Sequence, residues 1–143
     1  MGMMHLVFLA LYLVALLVYA SAEAKMDADS IKAGASIDHV DGFVRRLIIV
    51  FIMVVIVLTL TLGGPWDMAL LMGMAYGLWT PTFRLILNLR RGKDWCYISR
   101  SNRYDTLWFN LNWDGRDAGV MAYLFEAFCF IVFTALYFIT NTL

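Results

Sequence analysis

The chain has 143 residues, of which 62% are hydrophobic, and its mean hydropathy is +0.74. Its 11 lysines and arginines are balanced by 11 acidic residues, so the formal net charge at pH 7 is zero. This composition excludes an ordinary soluble domain, and the lack of excess positive charge gives nucleic-acid binding no support. It is typical of an all-α integral membrane protein, in which long apolar helices face lipid.

Four long apolar segments follow one another along the chain, and polar stretches separate them. A helix needs about 20 mostly apolar residues to cross roughly 30 Å of hydrocarbon. We therefore predict one domain, residues 1–143, with four transmembrane helices at 3–21, 45–62, 66–88 and 119–140.

The distribution of basic residues indicates how these helices are threaded. All 11 lie either between the first two segments and at the start of the second, or between the end of the third and the start of the fourth. The turn Gly63-Gly64-Pro65 contains none. Because short basic loops stay on the cytoplasmic side of a membrane, we expect inner loops at 22–44 and 89–118 and both termini outside.

The first segment has a signal peptide as its alternative interpretation, because Ala20-Ser21-Ala22 resembles a cleavage site. However, no Lys or Arg precedes its apolar run Leu6–Tyr19, whereas a signal peptide begins with positive charge. The missing charge favours a retained helix. Residues 22–33 are rich in helix formers, so we expect this helix to continue to Gly34 as its C-terminal cap.

Small residues recur every four positions in the third segment. Ala69, Gly73, Gly77 and Pro81 therefore lie along one side of that helix. Because lipid provides no hydrophobic drive between helices, close backbone contact over small residues is a main source of association in membranes. We predict a helix-packing face at these positions, with a bend near Pro81, where one backbone hydrogen bond is lost.

The predicted inner loop 89–118 is too long for a plain connector and is rich in aromatic side chains. Such rings favour the membrane–water boundary, where an apolar ring and a polar tip are both satisfied. We expect Asp105–Leu111 to form a short amphipathic helix on the inner surface. The predicted interfacial aromatics are Trp95, Tyr97, Tyr104, Trp108 and Trp113.

Away from the first two residues of each predicted span, two charged residues of opposite sign remain. Arg84 near the end of the third and Glu126 near the start of the fourth both lie on the order of 10 Å inside the inner boundary. A lone charge there costs about 2.5–3.5 kcal/mol, so opposite charges at matched depth are expected to pair. We predict a salt bridge that fixes the register of the two helices. The alternatives are an ion or proton relay, and Arg84 reaching alone to the interface.

The chain contains no sequence motif of a hydrolytic centre or of a nucleotide-binding loop. Asp38, His39 and Asp41, with two aspartates upstream, resemble a metal site, and helix capping is the simpler interpretation. Cys96 and Cys129 lack zinc spacing and are expected to be free thiols. We therefore predict no enzyme, no metal and no cofactor.

Two stretches of the chain are similar to a known group of proteins. Residues 29–39 follow the pattern D-x-I-K-x-G-x-x-I-D-H, and residues 87–98 follow L-N-L-R-R-G-K-D-W-x-Y-I. Together they resemble small uncharacterised multi-span membrane proteins of phages of Bacteroidetes-type bacteria. The resemblance implies a phage or prophage origin, and it carries over no catalytic residue, cofactor or substrate.

These observations support two functional hypotheses of different classes. The first is a non-enzymatic structural or assembly protein of the inner membrane or of a phage-associated membrane, which packs in the lipid bilayer with itself or with partner subunits. The alternative is a holin-like or small channel protein that permeabilises the membrane, since holins are also small, apolar and self-associating. A membrane enzyme or electron carrier would need ligands that the apolar segments lack.

Overall fold

A computed structural model describes residues 3–35, 39–99, 103–111 and 115–142. Within these ranges the chain forms five α-helices and no strand, so the predicted all-α class is confirmed. The helices are α1 (Met3–Lys32), α2 (His39–Thr61), α3 (Pro65–Arg90), α4 (Arg103–Asn110) and α5 (Gly115–Thr142). The four long helices correspond to the four predicted segments, and α4 overlaps the predicted amphipathic helix Asp105–Leu111.

Three of the described helices, α1, α2 and α5, are long and apolar enough to cross a membrane. Helix α3 is not among them, so the prediction of four apolar spans is wrong for 66–88. Polar and charged side chains lower the mean hydropathy of α3 below that of the other long helices. A helix that is covered by other helices can carry such side chains, because only the surface in contact with lipid has to be apolar. Its polar and charged residues include Asp67, Tyr76, Thr80, Thr82, Arg84 and Asn88.

Helix α3 lies at the centre of the fold. It packs against α1, α2 and α5, whereas α2 contacts only α1 and α3 among the described helices, and α5 contacts only α3 and α4. A central helix meets protein on most sides, which explains how it tolerates polar residues. The side chains that are at most 1% exposed in this core are Leu16 of α1, Val54 of α2, Leu71 and Met74 of α3, and Tyr137 of α5.

The outward faces of the other long helices are apolar. Helix α1 exposes Leu11 and Val14, α2 exposes Ile52, and α5 exposes Phe128 and Ile131, which are 62% and 65% exposed. Soluble proteins rarely expose contiguous apolar surface of this extent, whereas a membrane helix presents such a face to hydrocarbon. The surface is therefore consistent with a membrane protein.

One end of the bundle gathers the start of α1, the turn between α2 and α3, and the end of α5. His5 Nε2 lies 3.1 Å from the Thr61 carbonyl oxygen. Asn141 Nδ2 donates to Asp67 Oδ1 at 2.7 Å, and the Gly64 N–H donates to Asp67 Oδ2 at 2.8 Å. We name this the hairpin end. The opposite end, which holds the described lysines and arginines, is named the basic end.

Helix α1 ends where the sequence predicted. Gly34 has a φ of 76°, a left-handed conformation that glycine adopts at little cost. Its N–H donates to the Ile31 carbonyl at 3.1 Å, and the Ala35 N–H donates to the Ser30 carbonyl at 3.0 Å. These bonds satisfy the last carbonyl groups of the helix, so Gly34 is confirmed as its cap.

Candidate functional site

The structure brings Arg84 of α3 and Glu126 of α5 together. Arg84 Nη1 donates to Glu126 Oε2 at 3.0 Å, and Arg84 Nη2 donates to Oε1 at 2.9 Å. The side chains are 8% and 0% exposed. Two parallel bonds between a planar guanidinium and a carboxylate fix both distance and orientation. The pair therefore sets the register of α3 against α5.

Helix α4 adds two more polar side chains to this pair. The Tyr104 hydroxyl donates to Glu126 Oε1 at 2.9 Å and lies 2.6 Å from the Tyr76 hydroxyl of α3. Asp105 Oδ1 lies 3.8 Å from Arg84 Nη2. We name Arg84, Glu126, Tyr104, Asp105 and Tyr76 the Glu126 cluster. Both oxygens of Glu126 accept hydrogen bonds, so the buried carboxylate is fully used in holding three helices together.

Asp105 is the group of this cluster that lies outside the long helices and is still buried. Its Oδ2 accepts the Ser99 N–H at 2.9 Å. Burial raises the pKa of Asp105 above its ordinary value, against the Ser99 N–H and Arg84, which lower it. Two carboxylates thus lie beside one guanidinium.

The predicted interfacial aromatics divide into two groups. Trp95 and Tyr97 are 41% and 37% exposed at the basic end. Tyr104 turns into the Glu126 cluster, and Trp108 is buried against Ala118 and Ala122 of α5. Trp113 lies outside the described residues. Helix α4 is therefore held by its aromatic side toward α5.

Two of the four residues of the predicted small-residue face, Gly73 and Gly77, contact α5 of the same chain. A Cβ atom on Gly77 would lie 2.5 Å from the Phe130 backbone nitrogen and 2.7 Å from the Glu126 carbonyl oxygen, so only glycine permits this approach. Gly73 lies under the Phe133 ring, and a Cβ on Gly73 would lie 2.4 Å from the Cγ atom of that ring. Ala69 is exposed and Pro81 is half-buried within an unbroken helix.

A second charged cluster joins α1 to α2, and the sequence analysis missed it. Arg45 Nη2 donates to Glu23 Oε2 at 2.8 Å, and Arg46 Nε donates to the same oxygen at 3.1 Å. Arg46 Nη2 also pairs with Asp27. We name these four residues the Glu23 cluster. The available signal was the spacing of Glu23 and Asp27, which places both on one face of α1.

Arg46 also connects this cluster to α3. Its guanidinium carbon lies 4.4 Å from the centre of the Phe83 ring and 5.6 Å from that of Trp79. Both distances fit a cation–π contact with the ring faces. Helix α2 is therefore held at the basic end by charge on one side and by aromatic rings on the other.

The segment after α3 is fixed over the start of α5. Asn88 Nδ2 donates to the carbonyl oxygens of Trp95 and Tyr97, at 3.1 and 2.7 Å. A Cβ on Gly119 would lie 1.7 Å from the Cys96 carbonyl oxygen, so a glycine is required where the two backbones cross. Burial raises the pKa of the Cys96 thiol, which disfavours its reactive thiolate form.

The metal hypothesis receives no supporting geometry from the described residues. Among them, no group of three or more His, Cys, Asp or Glu side chains is placed to hold an ion. Asp38 lies outside the described residues, and the side chain of His39 is not described. Cys96 and Cys129 are both free.

Comparisons with protein-family models, with curated proteins and with solved structures found no match.

Proposed function

We propose that this chain is a non-enzymatic structural or assembly subunit of a membrane, built as a four-helix unit in which α3 crosses the bilayer inside a shelter formed by α1, α2 and α5. The apolar outward faces of those three helices support contact with lipid. The central position of α3 supports a crossing by a helix that would be too polar alone.

The proposed topology places the basic end in the cytoplasm and the hairpin end outside. The described lysines and arginines are confined to the basic end, as the preference of basic loops for the cytoplasmic side requires. The contacts His5–Thr61 and Asp67–Asn141 place the beginning of α1 and the end of α5 at the other end. An even number of crossings follows if all four long helices span the bilayer.

The Glu126 cluster is the observation that carries the structural role. Arg84 donates to both oxygens of the buried Glu126 carboxylate, and the Tyr104 hydroxyl donates to one of them. Such an arrangement is suited to locking helices together. A relay needs groups that change partners, and removing either member of a buried pair is costly. The cluster therefore favours a packing clamp over proton or ion transfer.

Association with further copies or with partner subunits is part of the same proposal. The glycines at 73 and 77 already contact α5, so an intermolecular contact must use other surface. Single cysteines at Ile52 and Phe128, on outward faces, should form disulfide cross-links in membranes. A cysteine at Leu71, which is 0% exposed in the core, is the control and should not cross-link between copies.

The proposal is tested by expression in a bacterial host, followed by alkaline extraction of the membranes and by dye influx into intact cells. We expect the protein to stay in the membrane pellet and the cells to exclude the dye. Release into the supernatant would contradict a membrane subunit. Dye entry with retention in the pellet would instead favour the holin-like or channel function. The phage origin implied by the resemblance remains a separate prediction, which neighbouring virion or lysis genes would support.

A further inference from the structure

An apolar groove runs along the outer side of the bundle between α2 and α3. Its volume is about 150 Å³, and it opens sideways. We name it the α2–α3 groove. The side chains that line it are Phe43, Arg46, Leu47 and Val50 of α2, and Met72, Ala75, Tyr76, Trp79 and Thr80 of α3.

The part of α2 that lines the groove also exposes apolar side chains on its outer face. Ile48 and Phe51, next to lining residues on α2, are 53% and 46% exposed. The lining positions 43 to 50 extend over seven residues of α2, which corresponds to about 10 Å along the helix axis. If α2 crosses the bilayer as proposed, the mouth of the groove opens to the hydrocarbon core, where lipid acyl chains surround the protein.

The basic end of the groove carries the Arg46 guanidinium, which has a donor without a partner among the described residues. Arg46 uses Nε for Glu23 and Nη2 for Asp27. Its Nη1 donates to no other residue within the described part of the chain. Guanidinium N–H groups are strong partners for phosphate oxygens, and this one sits where the helix reaches the headgroup level. The groove thus combines an apolar trough with a phosphate-binding group at one end.

We propose that the α2–α3 groove is a binding site for a single phospholipid, with part of one acyl chain along Val50, Met72 and Ala75 and with the phosphate at Arg46. The inference rests on the proposed membrane location. A phospholipid fits this lining better than an apolar helix of a second copy, because its phosphate can accept from the Arg46 guanidinium at one end while its chain covers the apolar side chains.

The test is native mass spectrometry of the protein released from bilayers of phosphatidylglycerol. We expect the wild-type chain to retain one phospholipid. Ala75→Phe fills the floor of the groove and should raise the Kd for the lipid by about tenfold or more, because displacing even two methylene groups has that effect. The Kd is read from the lipid-bound fraction over a series of lipid concentrations. Ile48→Phe adds a ring of the same size outside the groove, and this control should keep the wild-type lipid-bound fraction.

A second filling variant, Met72→Trp, carries the test if Ala75→Phe does not fold, as judged by its thermal unfolding. In detergent solution, diacylglycerol, which offers the same chains without the phosphate, should be retained less than phosphatidylglycerol. Equal retention by wild type and both filling variants would overturn the lipid site. So would a dimer without lipid that disappears on filling the groove.

Failure of this proposal can be told apart from failure of the proposed function. Alkaline extraction is applied to the same wild-type preparation and to each variant. A chain that is extracted from the membrane refutes the membrane subunit itself. A chain that stays in the membrane while lipid retention ignores both filling variants refutes the groove alone.

Discussion

The Glu126 cluster and the Glu23 cluster lie at the same end of the bundle and use the same two groups, a guanidinium and a carboxylate. They differ in the exposure of one arginine: Arg84 and Glu126 are 8% and 0% exposed, whereas Arg45 is 44% exposed although its partner Glu23 is 6% exposed. Water screens an exposed pair and can replace a lost partner, but it cannot do so in a buried one. The same chemistry should therefore hold α3 firmly to α5, while Arg45 adds little to the contact of α1 with α2.

The largest effect should come from Glu126→Gln. The substitution leaves Arg84 buried with Asp105, 3.8 Å away, as its remaining carboxylate neighbour. We expect a loss of about 3–5 kcal/mol in the free energy of unfolding, because an uncompensated buried charge is costly. The measurement is titration of the detergent-solubilised protein with a denaturing detergent.

A double variant separates the pair from its parts. Arg84→Met with Glu126→Met removes both charges and keeps apolar volume, so most of the lost stability should return. A double variant as unstable as Glu126→Gln alone would contradict the pairing as the source of the loss.

The next effect tests the close approach that lets the buried pair form. Gly77→Ala places a Cβ against the backbone of Phe130 and of Glu126 itself, so α3 and α5 must move apart. We expect a loss of about 1–3 kcal/mol, the usual cost of overpacking a tight contact. Gly73→Ala is the matched comparison, since its Cβ meets the Phe133 ring, a side chain that can rotate. Equal losses at both positions would contradict the backbone contact at Gly77.

A weaker effect should depend on pH and belong to the buried cluster alone. Because burial raises the pKa of Asp105 in the folded protein, its protonated form fits the docked α4 better than its ionised form. Docking should therefore be tightest below about pH 4, near the ordinary pKa of aspartate. It should weaken as pH rises through the raised pKa. Asp105→Asn keeps an acceptor for the Ser99 N–H and removes the titration.

Hydrogen exchange of residues 103–110, corrected for the intrinsic rate at each pH, measures this docking. The wild-type helix should lose protection as pH rises, and the Asp105→Asn helix should show a constant level. A pH dependence that survives in Asp105→Asn would assign the effect to another group of the cluster. Arg84, Glu126 and Tyr123 are the charged and titratable groups that interact with Asp105 there.

The smallest effect should come from the exposed side of the comparison. Arg45→Gln removes a pair that water and salt already screen, so we expect a loss of only about 0.2–1 kcal/mol, and less at high salt. Unfolding at low and high ionic strength measures it. A loss as large as that of Glu126→Gln would contradict the role assigned to exposure.

The sequence predicted the Glu126 cluster better than the Glu23 cluster, for a physical reason. Depth in a membrane helix follows from position along the chain, so Arg84 and Glu126 could be matched from the sequence alone. Glu23 fell in a stretch predicted as a solvated inner loop, although α1 was expected to continue through it. The role of Tyr104 was missed because a ring with a polar tip suits an interface and a buried network equally well.

The sequence analysis also overestimated how apolar the third helix is. The predicted span 66–88 was treated like its neighbours, yet its polar residues are tolerated because other helices surround α3. Which helix is central depends on tertiary packing, and periodicity along one helix does not contain that information. The glycine spacing indicated a packing face, but it did not indicate that the two glycines contact α5 of the same chain.

The central claim is that α3 crosses the bilayer inside the other helices, and labelling of cysteines from each side tests it most directly. In a Cys96→Ser, Cys129→Ser background, single variants Lys32→Cys, Leu62→Cys and Lys93→Cys are exposed to an impermeant thiol reagent. Residue 62 lies in the turn before α3, with Leu62 93% exposed, and residue 93 lies after α3. The account predicts labelling of 32 and 93 from one compartment and of 62 from the other. Labelling of 62 and 93 from the same side would show that α3 does not cross.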